Sequence, residues 1–313
     1  MRAAGSAAMT RLWRRVTAAT QIAAIAGMPA LLSGAAGAQT AGALPERVSF
    51  PSADGRTTLV GYVYAPRDQQ AARAPALVMM HGRSGAYSTA AKGRYDASTL
   101  SQRHQMWGRL WAAQGTIAIL VDGFGPRGHP QGFPRFSYDA RPDELNEVTV
   151  RPLDAYGALA YLRTRPDVMA DRIGLHGWSN GGSAALAAMA VAAPGIASHT
   201  PADGFRAALV FYPACRLKGQ FDATGYRPYA PVRVFHGTAD EEVSARRCAA
   251  LVDRSRAHGG DIDIRLYPGA AHGFDDPGRA RQSVKANAAA KADAMARAQR
   301  FFAQQLGEPQ PAR

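Results

Sequence analysis

The chain has 313 residues, 47% of them hydrophobic and 19% charged, and its 37 Lys and Arg against 24 Asp and Glu give a formal net charge of +13. Such a length suits one large globular domain or two small ones. The basic surplus is nearly all arginine and widely spread, and no basic run is interleaved with aromatics, which excludes a nucleic-acid groove and leaves a solvated basic surface as its plainest account.

Residues 1–45 read as an address rather than as part of the fold. Arg2, Arg11, Arg14 and Arg15 precede an uncharged run from Val16 to Pro45, which closes on Ala36-Gly37-Ala38. A basic start, an apolar middle and a small-x-small exit predict an export signal over residues 1–38, cut after Ala38, with Arg14-Arg15 admitting a twin-arginine route. The protein is then expected in the periplasm or medium, without stable membrane association after cleavage; an uncleaved anchor is the rival reading. In an oxidising compartment the two cysteines, Cys215 and Cys248, are expected to pair.

From residue 39 onward no repeat or linker divides the sequence, and one domain over 39–313 is expected. Residues 47–50 and 57–64 flank Ala53-Asp54-Gly55 as a hairpin. The apolar run Ala76–Met80 reads as a strand buried on both faces, ending in His81-Gly82-Arg83-Ser84-Gly85. A helix over 99–113, a strand over 116–121 ending at Asp122, a Gly/Pro-dense loop from Gly123 to Pro130 and a helix over 143–163 follow. Strands over 172–176, 207–212, 232–236 and 262–267 complete the set, with helices over 243–258 and 279–305 and an irregular insertion over 213–229. Strands alternating with helices predict an α/β fold: a mainly parallel sheet of about eight strands, covered on both faces. Functional groups then collect at the carboxyl ends of the strands.

One such end carries Gly177-Trp178-Ser179-Asn180-Gly181, a strand running into an Ala-rich helix. A serine at the apex of that turn has an exposed hydroxyl, and the helix start points free N–H groups at it. A serine hydroxyl needs a base, and the base needs a group that fixes its tautomer. His272, in Pro268–Phe274, and Asp240, in His236–Asp240, follow the last two strands and supply both in the order Ser, Asp, His. Glu241 and Glu242 compete with Asp240, although both are expected to begin a helix, and Asp222 is a remote alternative. No His/Cys/Asp cluster has metal-ligand spacing and no dinucleotide or phosphate loop is present, so neither metal nor cofactor is expected.

With these residues in view, the sequence resembles the α/β-hydrolase superfamily and, within it, the dienelactone hydrolase family, over nearly all of the chain beyond the leader. The resemblance implies Ser179 as nucleophile, His272 as general base and later acid, Asp240 as the orienting carboxylate, and an oxyanion hole formed by the backbone N–H groups of Asn180 and Arg83, with Ser84 as a second candidate. Three departures stand out. The family's usual nucleophile is cysteine; its glutamate after the third strand is replaced by Gly82; and Asp275 and Asp276 follow Phe274 where the family carries an arginine for the substrate carboxylate. A neutral ester is therefore favoured over an anionic lactone. Arg127, Trp178, Tyr87, Phe124, Tyr212 and Phe274 are candidate substrate contacts, the aromatics being equally suited to the core. His81, His176 and His236 are expected to brace loops through hydrogen bonds. The reading is an exported serine hydrolase acting on a small-molecule carboxylic ester, lactones included, through an acyl-serine. A peptidase of the prolyl-oligopeptidase type and a non-catalytic protein binding an envelope polymer are the alternatives.

Overall fold

The centre of the molecule is a sheet whose strands alternate side chains between two helical layers. The structure, a computed structural model, describes residues 43–67 and 73–307; the expected leader over residues 1–38 lies outside the described residues. Strands β1 (Glu46–Pro51), β2 (Thr58–Tyr64), β3 (Ala74–Met80), β4 (Ile117–Asp122), β5 (Val168–Trp178), β6 (Ala208–Phe211), β7 (Val232–Gly237) and β8 (Ile262–Tyr267) lie in the order β1-β2-β4-β3-β5-β6-β7-β8. The hairpin β1–β2 and the β2–β4 pair are antiparallel, and every later pairing is parallel. This is the mainly parallel eight-stranded sheet that the alternation of elements implies.

Because successive strand residues face opposite sides, Val78 and Met80 of β3 join Ile119, Val121 and Leu175 in one buried cluster, while Leu77, Met79 and Leu120 join another. Helices α2 (Arg151–Thr164) and α3 (Asn180–Met189) contribute to the first, and α1 (Gln102–Ala113) and α6 (Lys285–Leu306) to the second, whose bulkiest members are Trp107, Trp111 and Trp178. Each such side chain withdrawn from water stabilises the fold by about 1.5–3 kcal/mol. Both faces are therefore committed to packing, which leaves chemistry to the carboxyl edge.

Three helices begin or break elsewhere than expected. The helix foreseen over 143–163 starts at Arg151, because Pro152 has no N–H to donate and fits only a first turn. Before it, Asn146 accepts from the N–H of Val148 at 2.9 Å and closes a separate turn. The next helix, α4 (Ala245–Ala257), is capped by the Ser244 side chain, so Glu241 and Glu242 lie in the loop before it rather than in its first turn. The terminal helix divides into α5 (Arg279–Gln282) and α6. Buried Asn287 accepts from the N–H of Ala271 at 2.9 Å and donates to the Arg281 carbonyl at 3.0 Å, which ties that break to the loop after β8.

Candidate active site

Ser179 stands between β5 and α3 with φ 51° and ψ −116°, a conformation neither helical nor extended. Its neighbours permit it. A Cβ on Gly177 would overlap the Gly181 carbonyl, and one on Gly181 would overlap the Met80 carbonyl, so glycine at both positions lets strand and helix close on each other. The Ser179 N–H is held by the Phe211 carbonyl of β6 at 2.9 Å. Strain at a single residue costs of order 1–3 kcal/mol and is sustained here by fully buried surroundings.

The imidazole of His272 meets the hydroxyl, with Nε2 3.0 Å from Ser179 Oγ, and its Nδ1 lies 2.8 Å from Asp240 Oδ2. Asp240 Oδ1 accepts the N–H groups of Glu242 and Val243, both at 2.9 Å, which fixes the carboxylate in its loop. Residues following β5, β7 and β8 thus form one hydrogen-bonded chain. Glu241 does not compete for the imidazole: it accepts the His272 backbone N–H at 3.1 Å and pairs with Arg135 at 3.0 Å. Asp222 lines a different cavity.

The loop after β3 lies against Ser179. A Cβ on Gly82 would sit 3.3 Å from Ser179 Cβ, so a longer side chain there would crowd the hydroxyl. Among the described residues, neither the Arg83 N–H nor the Asn180 N–H has a protein acceptor. The Arg83 side chain is held in a bidentate pair with Glu242, at 2.7 and 2.9 Å, and donates to the Phe133 carbonyl at 2.9 Å. Burial works to raise the Glu242 carboxyl, yet its hydrogen bonds to Arg83 and the nearby charges of His272 and Arg135 bring it below its ordinary value. Its Oε2 lies 3.8 Å from His272 Nε2.

Beneath the turn, Arg151 is fully buried and donates to the His81 carbonyl at 2.8 Å and to the Asn180 side-chain oxygen. Asn180 donates in turn to Glu147 at 3.1 Å. Burial pulls the Arg151 guanidinium down to about 10. This arginine joins the β3 loop to the serine turn. No motif announces it in the sequence.

None of the six candidate substrate contacts lines the cavity that opens at Ser179. Arg127 is consumed by Asp154, with both contacts at 2.8 Å, by Asp54 at 3.2 Å and by the Gly123 carbonyl at 2.8 Å. Trp178 is fully buried and its Nε1 donates to Asp275 at 2.9 Å. Tyr87 bonds Tyr62 at 2.8 Å and Asp122 at 2.9 Å, and Phe124 packs under His81 with ring centroids 4.5 Å apart. Tyr212 donates to Asp275 and packs its ring 4.6 Å from that of His272, while Phe274 is fully buried behind it. A strand end fixes where a residue sits along the sheet and leaves open which way its ring points. Of the three histidines expected to brace loops, His81 bridges the Gly82 carbonyl at 2.7 Å and the Gly123 N–H at 3.2 Å, and His236 contacts the Gly237 carbonyl at 3.1 Å. His176 has no protein hydrogen-bond partner among the described residues and lies among Trp107, Trp178 and Phe211 instead.

The cavity that opens at Ser179, about 710 Å³, is walled largely by segments without periodicity, Phe136, Tyr138 and Arg141 from the continuation of the Gly/Pro-dense loop and Arg216 and Lys218 from the 213–229 insertion, and by Arg247 from the helix α4. Their irregularity beside a strand end was the only sequence signal for them. Cys215 and Cys248 are bridged, with Cα atoms 5.0 Å apart, and the bridge pins the insertion to α4.

Comparisons with known proteins agree with this arrangement. A probable 2-oxo-3-(5-oxofuran-2-ylidene)propanoate lactonase from Bradyrhizobium sp. is 26% identical over 179 residues, 53% of this chain and 64%, slightly under two thirds, of that relative's length. Thermogutta terrifontis esterase 2, in a structure phosphorylated by paraoxon, superposes with a TM-score of 0.60 at 21% identity over 86% of this chain and 96% of its own. A dienelactone hydrolase-like promiscuous phosphotriesterase from metagenomic libraries does so with a TM-score of 0.59 at 18% identity, over 85% and 100%. These two likenesses show a shared α/β-hydrolase fold. Residues 138–306, which carry the serine turn, the Asp240 loop and the His272 loop, match the dienelactone hydrolase family, and the chain belongs to that family.

Proposed function

We propose that the protein is an exported carboxylic ester hydrolase that works through an acyl-serine. His272 Nε2 takes the proton of Ser179 Oγ as the oxygen attacks the ester carbonyl carbon, and Asp240 holds the resulting imidazolium in register. The tetrahedral oxyanion is received by the N–H groups of Asn180 and Arg83, donors worth about 3 kcal/mol each when placed in advance. Collapse expels the alcohol, which leaves with the proton from His272. Water repeats the cycle and releases the acid.

The observation that carries this reading is the chain Ser179 Oγ to His272 Nε2 at 3.0 Å and His272 Nδ1 to Asp240 at 2.8 Å, set beside a serine at φ 51° and two uncommitted N–H groups. Lactone opening is a second reading of the same chemistry, supported by the lactonase relative; the leaving alcohol then stays attached to the acyl group. Export is supported by the leader composition and by the Cys215–Cys248 bridge. Ser179→Ala or His272→Ala is expected to lower p-nitrophenyl acetate turnover by about 10⁴-fold or more with circular dichroism unchanged, and a fluorophosphonate is expected to label Ser179. Undiminished turnover in either variant refutes the assignment.

A further inference from the structure

Beside the Ser179 cavity lies a larger one of about 1090 Å³, and Cys215, Arg216 and Arg247 line both. The two therefore adjoin across the disulfide. The floor of the second cavity is apolar, with Leu217, Phe221, Tyr226 and Leu251 all buried. Its rim is basic. Arg247 and Arg254 stand two turns apart on the face of α4 that also presents Ala250 and Leu251 to the cavity, and Arg216 and Arg227 approach from the insertion. Against these four arginines the lining holds one carboxylate, Asp222.

The arginines of this rim are uncommitted. Elsewhere nearby, Arg256 pairs with Asp263 and Arg233 with Asp261, whereas none of Arg216, Arg227, Arg247 and Arg254 makes an ion pair among the described residues. The Ser179 cavity is basic too, with Arg83, Arg141, Arg216, Lys218 and Arg247 against Asp139 and Glu242 in its lining. The Arg83 charge is met by Glu242, a carboxylate that also stands 3.8 Å from His272 Nε2 and that a second negative charge at the scissile bond would face. Beside the serine the Arg83 guanidinium is thus already paired; farther along, an apolar floor ends in guanidinium groups that make no ion pair among the described residues.

We propose that the second cavity is a distal subsite, so that the ester cleaved at Ser179 extends an apolar arm across the disulfide and carries a carboxylate at its far end. The proposal rests on the hydrolase reading for the reaction but not for the binding. A guanidinium receives a carboxylate through charge-assisted, often bidentate hydrogen bonds, and an apolar floor of this size shelters a chain of several methylenes.

Two matched pairs test it: 4-nitrophenyl hydrogen suberate against 4-nitrophenyl octanoate, with the charge on the acyl side, and 8-acetoxyoctanoate against octyl acetate, with the charge on the alcohol side. In at least one pair the carboxylate-bearing ester is expected to show about tenfold higher kcat/KM, carried by KM and eroded by added salt. Arg254→Ala and Arg227→Ala, which change only the second cavity, are each expected to remove about threefold of that preference, and together to abolish it, while p-nitrophenyl acetate turnover stays unchanged. Arg256→Ala, paired and outside the lining, is expected to leave the preference intact. Suberate binding measured by calorimetry, weakened in the Arg227/Arg254 double variant, reads the subsite without any reaction. No preference in either pair, or a preference untouched by the double variant, overturns the subsite. Absence of p-nitrophenyl acetate turnover together with variant-sensitive suberate binding overturns the hydrolase reading instead.

Discussion

Arg83 combines two separable properties in one residue: a backbone N–H beside Ser179 and a guanidinium clamped to Glu242 and to the Phe133 carbonyl. On the proposed mechanism, Arg83→Ala keeps the N–H, loosens its loop and leaves Glu242, 3.8 Å from His272 Nε2, with Arg135 as its remaining partner. The expected result is a fall of about tenfold in kcat on p-nitrophenyl acetate with a much smaller change in KM, since misplacing one oxyanion donor weakens the transition state more than the ground state. Asp275 poses a different question. Its fully buried carboxylate receives Trp107 Nε1 at 2.8 Å, Trp178 Nε1 at 2.9 Å and the Tyr212 hydroxyl, with Arg103 Nε at 3.3 Å. Asp275→Ala strands these three hydrogen-bond donors and leaves Arg103 with Asp276 alone, and urea unfolding is expected to show a loss of about 3–5 kcal/mol. The sequence exposed Ser179, Asp240 and His272 because each follows a strand within three residues of a glycine, in an order that chemistry constrains. It hid Asp275 and Arg151, because a buried polar hub is defined by partners far apart in the chain: Asp275 lies 168 residues from Trp107.

At the scale of elements, strands were legible from apolar runs, whereas helix starts depended on single side chains, such as Pro152 at α2 and Ser244 at α4. The cavity walls were legible only as irregular stretches, since most of the segments that form them have no period to read. What organises the 213–229 insertion is the Cys215–Cys248 bridge, which closes a separation of 33 residues. A loop of that length loses enough chain entropy in the unfolded state to contribute about 4 kcal/mol. Replacing both cysteines by serine is therefore expected to lower the unfolding free energy by about 2–4 kcal/mol. Because the bridge stands where the two cavities meet, the same variant is expected to raise KM for long-chain esters while leaving acetate turnover nearly intact, and a chain-length series of p-nitrophenyl esters measures this. Equal losses on acetate and octanoate would place the bridge in general support of the fold rather than in the cavity wall.

For the whole molecule, the buried histidines set a limit on acid stability. His81, His104, His176 and His236 are all lowered from the ordinary value of 6.5 chiefly by burial, His104 to about 4. In the folded protein they stay neutral where the unfolded chain already takes up protons, so their contribution is complete above 6.5 and declines as pH falls below it. Each histidine adds about 1.4 kcal/mol of lost stability per pH unit within that window. Asp122 and Asp154, raised by burial, act the other way by taking protons first in the folded state, and so soften the net slope. Asp54, Asp167 and Glu242, which are lowered, add to the loss only further down, as pH falls through the carboxylate range. Unfolding by urea is accordingly expected to become progressively easier from pH 6.5 toward pH 4.5. His176 offers the cleanest check, because it makes no protein hydrogen bond among the described residues and is surrounded by rings. His176→Phe keeps the aromatic packing and removes one titrating group, so the dependence of stability on pH should flatten by about 1.4 kcal/mol per unit between those values. An unchanged slope would mean that His176 takes up its proton in the folded protein as readily as in the unfolded chain, and the acid sensitivity would then have to be assigned to His81, His104 and His236 alone.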